Sequence, residues 1–242
     1  MSHLYLNKER TAIVIANFKC GYSSMEYHKN KNEIEGRTGK NIEMRLLMKD
    51  PNVYKMMIVR NPYSRLESFY KHWIKMHPTK KDPQMMRESD YYESCSLIFS
   101  EEKFINRDID FEEFVVKYIP FLGMIPTRRA GWFKAIKGAP QVRYYAIDGH
   151  TSPQTKPLLR WHATMADFDE IIRLENKNFD NLNSKMGINL VHKNSTSTDL
   201  WKDIDLKWSG KMKHLAYKHY QEDFESLGYS KGSRTSEIWG NL

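Results

Sequence analysis

Cysteine is scarce in this chain, with only Cys20 and Cys95 among 242 residues. Two thiols supply neither a disulfide framework nor a thiolate zinc site, and a reducing compartment is the simpler expectation. Long apolar runs are also lacking, since no stretch approaches the roughly 18 residues that a membrane-spanning helix needs. The segment Met1 to Arg10 has no apolar core of signal-peptide length, so a cytoplasmic protein is expected. The sequence holds no internal repeat and no low-complexity tract. Its nine histidines are scattered without helical or short-loop zinc spacing, so no metal site is expected.

What is present is an ordinary globular composition, 40% hydrophobic, 28% charged and 13% aromatic, which excludes a disordered or fibrous chain. The length suits one domain, expected over residues 1–229, with 230–242 as a flexible tail rich in Ser, Gly and charge. Lys and Arg outnumber Asp and Glu by 38 to 30, a net charge of +8 that favours an anionic partner. Charge alone does not choose among nucleic acid, acidic lipid and sulfated or phosphorylated ligands. It also fits a merely solubilising surface.

Thr11 to Asn17 is a short apolar, β-branched run that enters a turn at Phe18-Lys19-Cys20-Gly21 and reads as a buried strand. Ser23 and Ser24 are good helix caps for a helix beginning at Met25. A second unit repeats the order: a helix over Asn41 to Lys49, a break at Asp50-Pro51-Asn52 and a strand over Val53 to Val59. Pro62 stops that strand, and Ser64 is expected to cap a helix reaching about Met76, with Leu66, Phe69, Tyr70 and Trp73 as its buried stripe.

His77 to Arg107 reads as a polar insertion, and a short helix follows at Phe111 to Val116. Strands are expected at Val142 to Ile147 and within Phe168 to Glu175, then helices over Asn176 to Met186 and Lys211 to Leu227. Strands separated by helices predict an α/β fold with a central parallel sheet flanked by helices. In such folds ligands bind beyond the carboxyl ends of the strands.

Two loops sit at such ends. Lys19-Cys20-Gly21-Tyr22-Ser23-Ser24 offers backbone N–H groups at a helix start, a glycine that permits close approach, hydroxyls and a lysine. Taken alone it is either an anion cradle or a simple turn with a helix cap. The second loop, Ile58-Val59-Arg60-Asn61-Pro62-Tyr63-Ser64-Arg65-Leu66-Glu67-Ser68-Phe69-Tyr70, is more specific, because an Arg-bearing turn separates a strand from a helix with a buried stripe.

This second segment resembles the 3′-phosphate-binding motif of sulfotransferases that use 3′-phosphoadenosine 5′-phosphosulfate (PAPS), with the glycan-modifying branch the nearest in pattern. The resemblance implies a P-loop-NTPase-like sulfotransferase fold. It assigns the ribose 3′-phosphate to Arg60 and Ser68, which agrees with the planar donor fork of arginine. Arg65 remains open between a ligand contact and an intramolecular pair. The first loop then corresponds to the family's 5′-phosphosulfate loop, with Phe18 in place of the usual proline and Tyr22 where a hydroxyl amino acid is frequent. Ser23 and Ser24 are the candidate hydroxyl contacts.

Further segments keep the family order. Asp148-Gly149-His150-Thr151-Ser152-Pro153-Gln154 is similar to a His-x-x-Pro-Gln stretch, and Val191-His192-Lys193-Asn194-Ser195 to a later segment that places Asn194 and Ser195 near the nucleotide. Tyr220-Gln221-Glu222-Asp223-Phe224 with Leu227-Gly228-Tyr229 resembles the terminal motif.

The implied reaction is in-line transfer of a sulfuryl group to a hydroxyl or amine of a glycan or small molecule, for which positioning and electrostatics suffice without a metal. Lys19 would stabilise the leaving phosphate oxygen. The acceptor proton needs a base, and His150 is the first candidate, with His28 and Glu43 behind it. Trp132 and Phe133 fit either an acceptor platform or the core. Acceptor identity and oligomeric state are not legible.

Two other classes fit the sequence less well. A nucleotide-dependent kinase is disfavoured because Gly36-Arg37-Thr38-Gly39-Lys40-Asn41 lacks the spacer and the Ser or Thr of a Walker loop. A basic nucleic-acid-binding module lacks a recognition-helix or RNA-sheet motif.

Overall fold

The computed structural model describes residues 2–38, 42–75, 98–124, 151–190 and 206–232. In chain order the first elements are β1 (Ser2–Leu6), β2 (Ala12–Asn17), α1 (Tyr22–Asn30), β3 (Glu35–Thr38), α2 (Ile42–Lys49), β4 (Tyr54–Val59) and α3 (Pro62–Phe69). There follow α4 (Glu101–Asn106), α5 (Phe111–Met124), β5 (Glu170–Arg173), α6 (Asp180–Met186), α7 (Gly210–His219) and α8 (Gln221–Ser226).

One five-stranded sheet runs in the order β3-β1-β2-β4-β5. β2, β4 and β5 are parallel, pairing Ala16 with Ile58 and Ile58 with Ile172. β1 runs antiparallel to both β2 and β3. The α/β expectation therefore holds, but the sheet is mixed, because an antiparallel pair extends one side of its parallel centre. Gly36 to Thr38 belongs to the edge strand β3, so the glycines that mimic a Walker ending begin in a sheet strand instead of a phosphate loop.

The chain divides into two compact units, one comprising residues 1–66, 149–201 and 220–242 and the other 67–148 and 202–219. In the first, both faces of the central strands are covered. Val14, Ala16, Met56 and Ile58 pack with Met25 of α1 and with Leu182 and Met186 of α6. Ile13, Ile15, Met57 and Val59 pack on the other face with Met44 and Met48 of α2 and with Trp161. Double-sided burial is why β2 and β4 read as largely apolar runs, with Lys55 at the start of β4 turned to the carbonyls of Asp50 and Val53.

The second unit has an aromatic core. Phe69 stacks with Phe114 and Tyr118, Tyr70 packs on Phe111, and Trp208 meets Phe111 edge-on. Trp208 also donates its indole N–H to Glu67 at 2.7 Å.

Three boundaries depart from the sequence expectation for identifiable reasons. α1 starts at Tyr22 and not at Met25: Gly21 takes the cap position with φ 78°, and Met25 N–H donates to the Gly21 carbonyl, so Ser23 and Ser24 lie inside the first turn. α3 is capped by Asn61 and not by Ser64, since Asn61 Oδ1 accepts from Tyr63 N–H at 2.9 Å and the Asn61 carbonyl from Arg65 N–H. This helix runs on as a π-helical turn over Tyr70–Lys75. The closing helix is two helices, α7 and α8, parted at Tyr220. The strand expected at 142–147, the loop with Trp132 and Phe133, and most of the insertion and tail lie outside the described residues.

Candidate active site

The two loops singled out in the sequence follow adjacent parallel strands. β2 ends at Asn17 and β4 at Val59, and the register that pairs Ala16 with Ile58 brings both strand ends to the same edge of the sheet. Lys19, Cys20, Gly21, Tyr22, Ser23 and Ser24 thus face the same edge as Arg60.

The first loop is wound tightly. Cys20 N–H donates to the Asn17 carbonyl at 3.0 Å, and Lys19 sits in the left-handed region at φ 65°, followed by Gly21 at φ 78°. A left-handed lysine is strained by roughly 1–2 kcal/mol, and such strain collects at functional sites. The N–H groups of Gly21, Tyr22 and Ser23 have no partner among the described residues, and no side chain caps α1. The first turn of α1 carries no acidic residue, while His28 and Lys29 occupy the last. Its amino end therefore presents N–H donors and the positive end of the helix dipole with no carboxylate in its own first turn.

Arg60 lies half-buried beside this loop, its Nη1 3.4 Å from the Lys19 carbonyl. Among the described residues its other guanidinium N–H groups have no hydrogen-bond partner. Arg65 behaves differently. It is buried, donating Nε to the Phe18 carbonyl at 3.2 Å and Nη1 to the Ser152 carbonyl, so it braces the first loop from behind. Ser68 lies on α3, half-buried, two turns beyond Arg60.

Beneath both loops lies a buried polar network that sequence reasoning did not assemble. Gln154 Oε1 accepts from Arg60 N–H at 2.8 Å and from Cys20 Sγ at 3.0 Å, while its Nε2 donates to the Arg60 carbonyl at 2.7 Å. The Gln154 carbonyl accepts from Asn17 Nδ2 at 3.0 Å. Asp223 supports this residue by accepting from the backbone N–H groups of Gln154 at 2.7 Å and Thr155 at 3.0 Å. Complete burial raises the Asp223 pKa, against the opposing pull of these donors and of Arg65. Burial likewise pushes the Cys20 thiol up to about 11, despite the nearby Arg65 and Arg60. Resemblance had marked Gln154 and Asp223, but their meeting across the chain has no local signature.

A second group missed from sequence is His3. Its pairing with Ala16 sets it beside the first loop, where its ring lies 4.5 Å from that of Tyr22 and 5.5 Å from that of Phe18. Burial lowers its pKa, against the opposing pull of Glu26.

The alternative bases are placed elsewhere. His28 is in the last turn of α1, its Nδ1 2.5 Å from Glu33 Oε2, and six residues of helix rise put it about 9 Å along the axis from Tyr22. Glu43 pairs with Arg10, which precedes β2, whereas the cradle follows that strand. His150, Asn194 and Ser195 lie outside the described residues. Among the described residues no three His, Cys, Asp or Glu side chains converge as a metal site, and no helix is long and apolar enough to cross a membrane.

Comparison with protein families agrees with this arrangement, since residues 5–230 match the sequence model described as "Sulfotransferase family". The chain belongs to the sulfotransferase family. No curated protein and no solved structure matches it significantly. The family match begins within β1 and ends beyond α8, so in this sulfotransferase it takes in both loops and the buried network between them.

Proposed function

We propose that this sulfotransferase takes its sulfuryl group from PAPS and passes it to a hydroxyl or amine of a glycan or small-molecule acceptor. One observation carries the reading: the N–H groups of Gly21, Tyr22 and Ser23 and the outer N–H groups of Arg60, which have no partner among the described residues, flank the same sheet edge. A donor with anionic groups at both ends of an adenosine suits two such positions. In this reading Lys19, with the N–H groups of Gly21, Tyr22 and Ser23 and the hydroxyls of Ser23 and Ser24, holds the 5′-phosphosulfate, and Arg60 and Ser68 hold the 3′-phosphate. Asn194 and Ser195 complete the nucleotide contacts, as the family resemblance implies.

The acceptor oxygen or nitrogen forms a bond to sulfur as the bond from sulfur to the 5′-phosphate oxygen breaks, leaving 3′,5′-ADP. Negative charge grows on that phosphate oxygen, where Lys19 and preorganised N–H donors stabilise it without rearrangement. The acceptor proton passes to a base, for which His150 is the proposed group. The chemistry asks for positive charge and alignment, which these residues supply without a metal.

Calorimetry with 3′,5′-ADP tests the donor assignment. Arg60→Ala removes charge-assisted bonds to a phosphate and is expected to weaken binding by about 10- to 100-fold. Equal affinity in wild type and a folded Arg60→Ala protein rejects the placement of the 3′-phosphate.

A further inference from the structure

Gln154 is fully buried, and each of its polar groups is used. Its side-chain amide joins the main chain of Arg60, through both N–H and carbonyl, to the Cys20 thiol, while its own carbonyl holds Asn17. The amide orientation follows from these partners, since the reversed amide would set NH2 against the Arg60 N–H. One residue therefore contacts the end of β2, the first loop and the start of the second loop.

Such a side chain does not touch the proposed ligand sites from the solvent side. It fixes the distance between them. We infer that Gln154, seated on Asp223, is a positioning residue that sets the spacing of the two anion loops, so that its loss penalises ligands gripped at both ends more than ligands gripped at one. This inference rests on the proposed donor reading, in which the Lys19 loop and Arg60 take opposite ends of one nucleotide.

The alternative is that Gln154 merely fills and satisfies the core. A filler lowers the melting temperature when replaced but leaves the folded protein's ligand preference unchanged. A spacer changes the preference. Gln154→Met keeps the volume and removes every side-chain hydrogen bond, leaving Arg60 N–H and carbonyl to find other partners. A misplacement of one loop against the other by an ångström is expected to cost about tenfold or more in affinity for a two-ended ligand. Gln154→Glu is the harsher variant: it still accepts from Arg60 N–H and Cys20, but its second carboxylate oxygen faces the Arg60 carbonyl and Asp223 Oδ2, both of which accept from the Gln154 amide in wild type.

The test uses the full chain and calorimetric titration of wild type, Gln154→Met and Gln154→Glu with 3′,5′-ADP and with 5′-AMP, which lacks the second anionic end. The expected result is a loss of about tenfold or more for 3′,5′-ADP in Gln154→Met, at least as large a loss in Gln154→Glu, and little change for 5′-AMP in either. Equal weakening of both nucleotides, or unchanged affinity in a folded variant, overturns the inference. Should Gln154→Met not fold, the same contrast between nucleotides is required of Gln154→Asn, which keeps a neutral amide but sets it one methylene short of Arg60.

Wild type that binds no 3′,5′-ADP would instead sink the donor reading. Amide hydrogen exchange then decides the spacing role by itself. Faster exchange at both Cys20 and Arg60, with the β2–β4 ladder unchanged, supports the bridge, and faster exchange at one loop or neither refutes it.

Discussion

Asp223 offers the most quantitative test of the network beneath the loops. It is fully buried and accepts from Gln154 N–H at 2.7 Å, Thr155 N–H at 3.0 Å and Thr155 Oγ1 at 3.1 Å. Asp223→Asn preserves the volume but replaces one acceptor oxygen with NH2. Whichever way the new amide turns, a donor then faces a donor. One hydrogen bond is lost and one buried N–H is left unpaired, each worth about 1–3 kcal/mol. Burial raises the Asp223 pKa, so removing the charge recovers part of that desolvation cost. The net expectation is a destabilisation of about 3 kcal/mol. A chain of this length loses about 2–4 °C per kcal/mol, so scanning calorimetry at neutral pH should show a drop of roughly 10 °C. An Asn variant melting within about 2 °C of wild type would refute the claim that these donors depend on the carboxylate.

Gly21→Ala must hold a left-handed backbone at φ 78° with its Cβ 3.4 Å from Ile58 Cδ1, so strain dominates over clash, and denaturant melts should show a loss of about 1–2 kcal/mol. An unchanged midpoint would mean the loop relaxes without the glycine. Cys20, fully buried with its pKa pushed up to about 11, is expected to resist iodoacetamide in the native protein and react once denatured, as read by peptide mass mapping. Labelling at equal rates in both states contradicts the burial. Asp167 has its pKa lowered, first by the Lys49 hydrogen bond and then by its capping of Thr164. Its contribution is therefore complete above the ordinary aspartate value of 3.8 and lost as pH falls through the lowered folded value. Asp167→Asn should flatten that acid limb in urea melts at successive pH values, and an identical limb would show that the pair contributes nothing.

What the sequence revealed and concealed follows from locality. β2 and β4 were legible because strands buried on both faces need only apolar residues in succession. β3 was not, because Glu35-Gly36-Arg37-Thr38 is a short, polar strand whose only strand neighbour among the described residues is β1. β1 hides its alternation in five residues, with Leu4 and Leu6 in one core and Tyr5 in the other. Position decided both caps: Gly21, a weaker average cap than serine, and Asn61, as good a cap as serine, sit where the chain leaves each strand and must turn at once. Gln154 bonds to partners 94 and 69 residues away, and His3 reaches the first loop only through strand register, so neither role has a local pattern to read.

The strained loop and the buried network explain each other. Lys19 at φ 65° is a conformation that an unconstrained chain would leave, and an anion arriving at a relaxed loop would have to restore it. Here the conformation is held from several sides: Cys20 by the Asn17 carbonyl and Gln154, the Phe18 carbonyl by Arg65, and the Lys19 carbonyl by Arg60. All of these restraints come from within the protein, so the N–H groups of Gly21, Tyr22 and Ser23 are already aligned before any ligand binds. Electrostatic stabilisation of a departing phosphate is most effective when its donors need no reorganisation during the reaction. On the proposed donor reading, core interactions that do not touch the nucleotide bear on the rate as well as on stability, because they hold the first loop in the shape that would serve the leaving group.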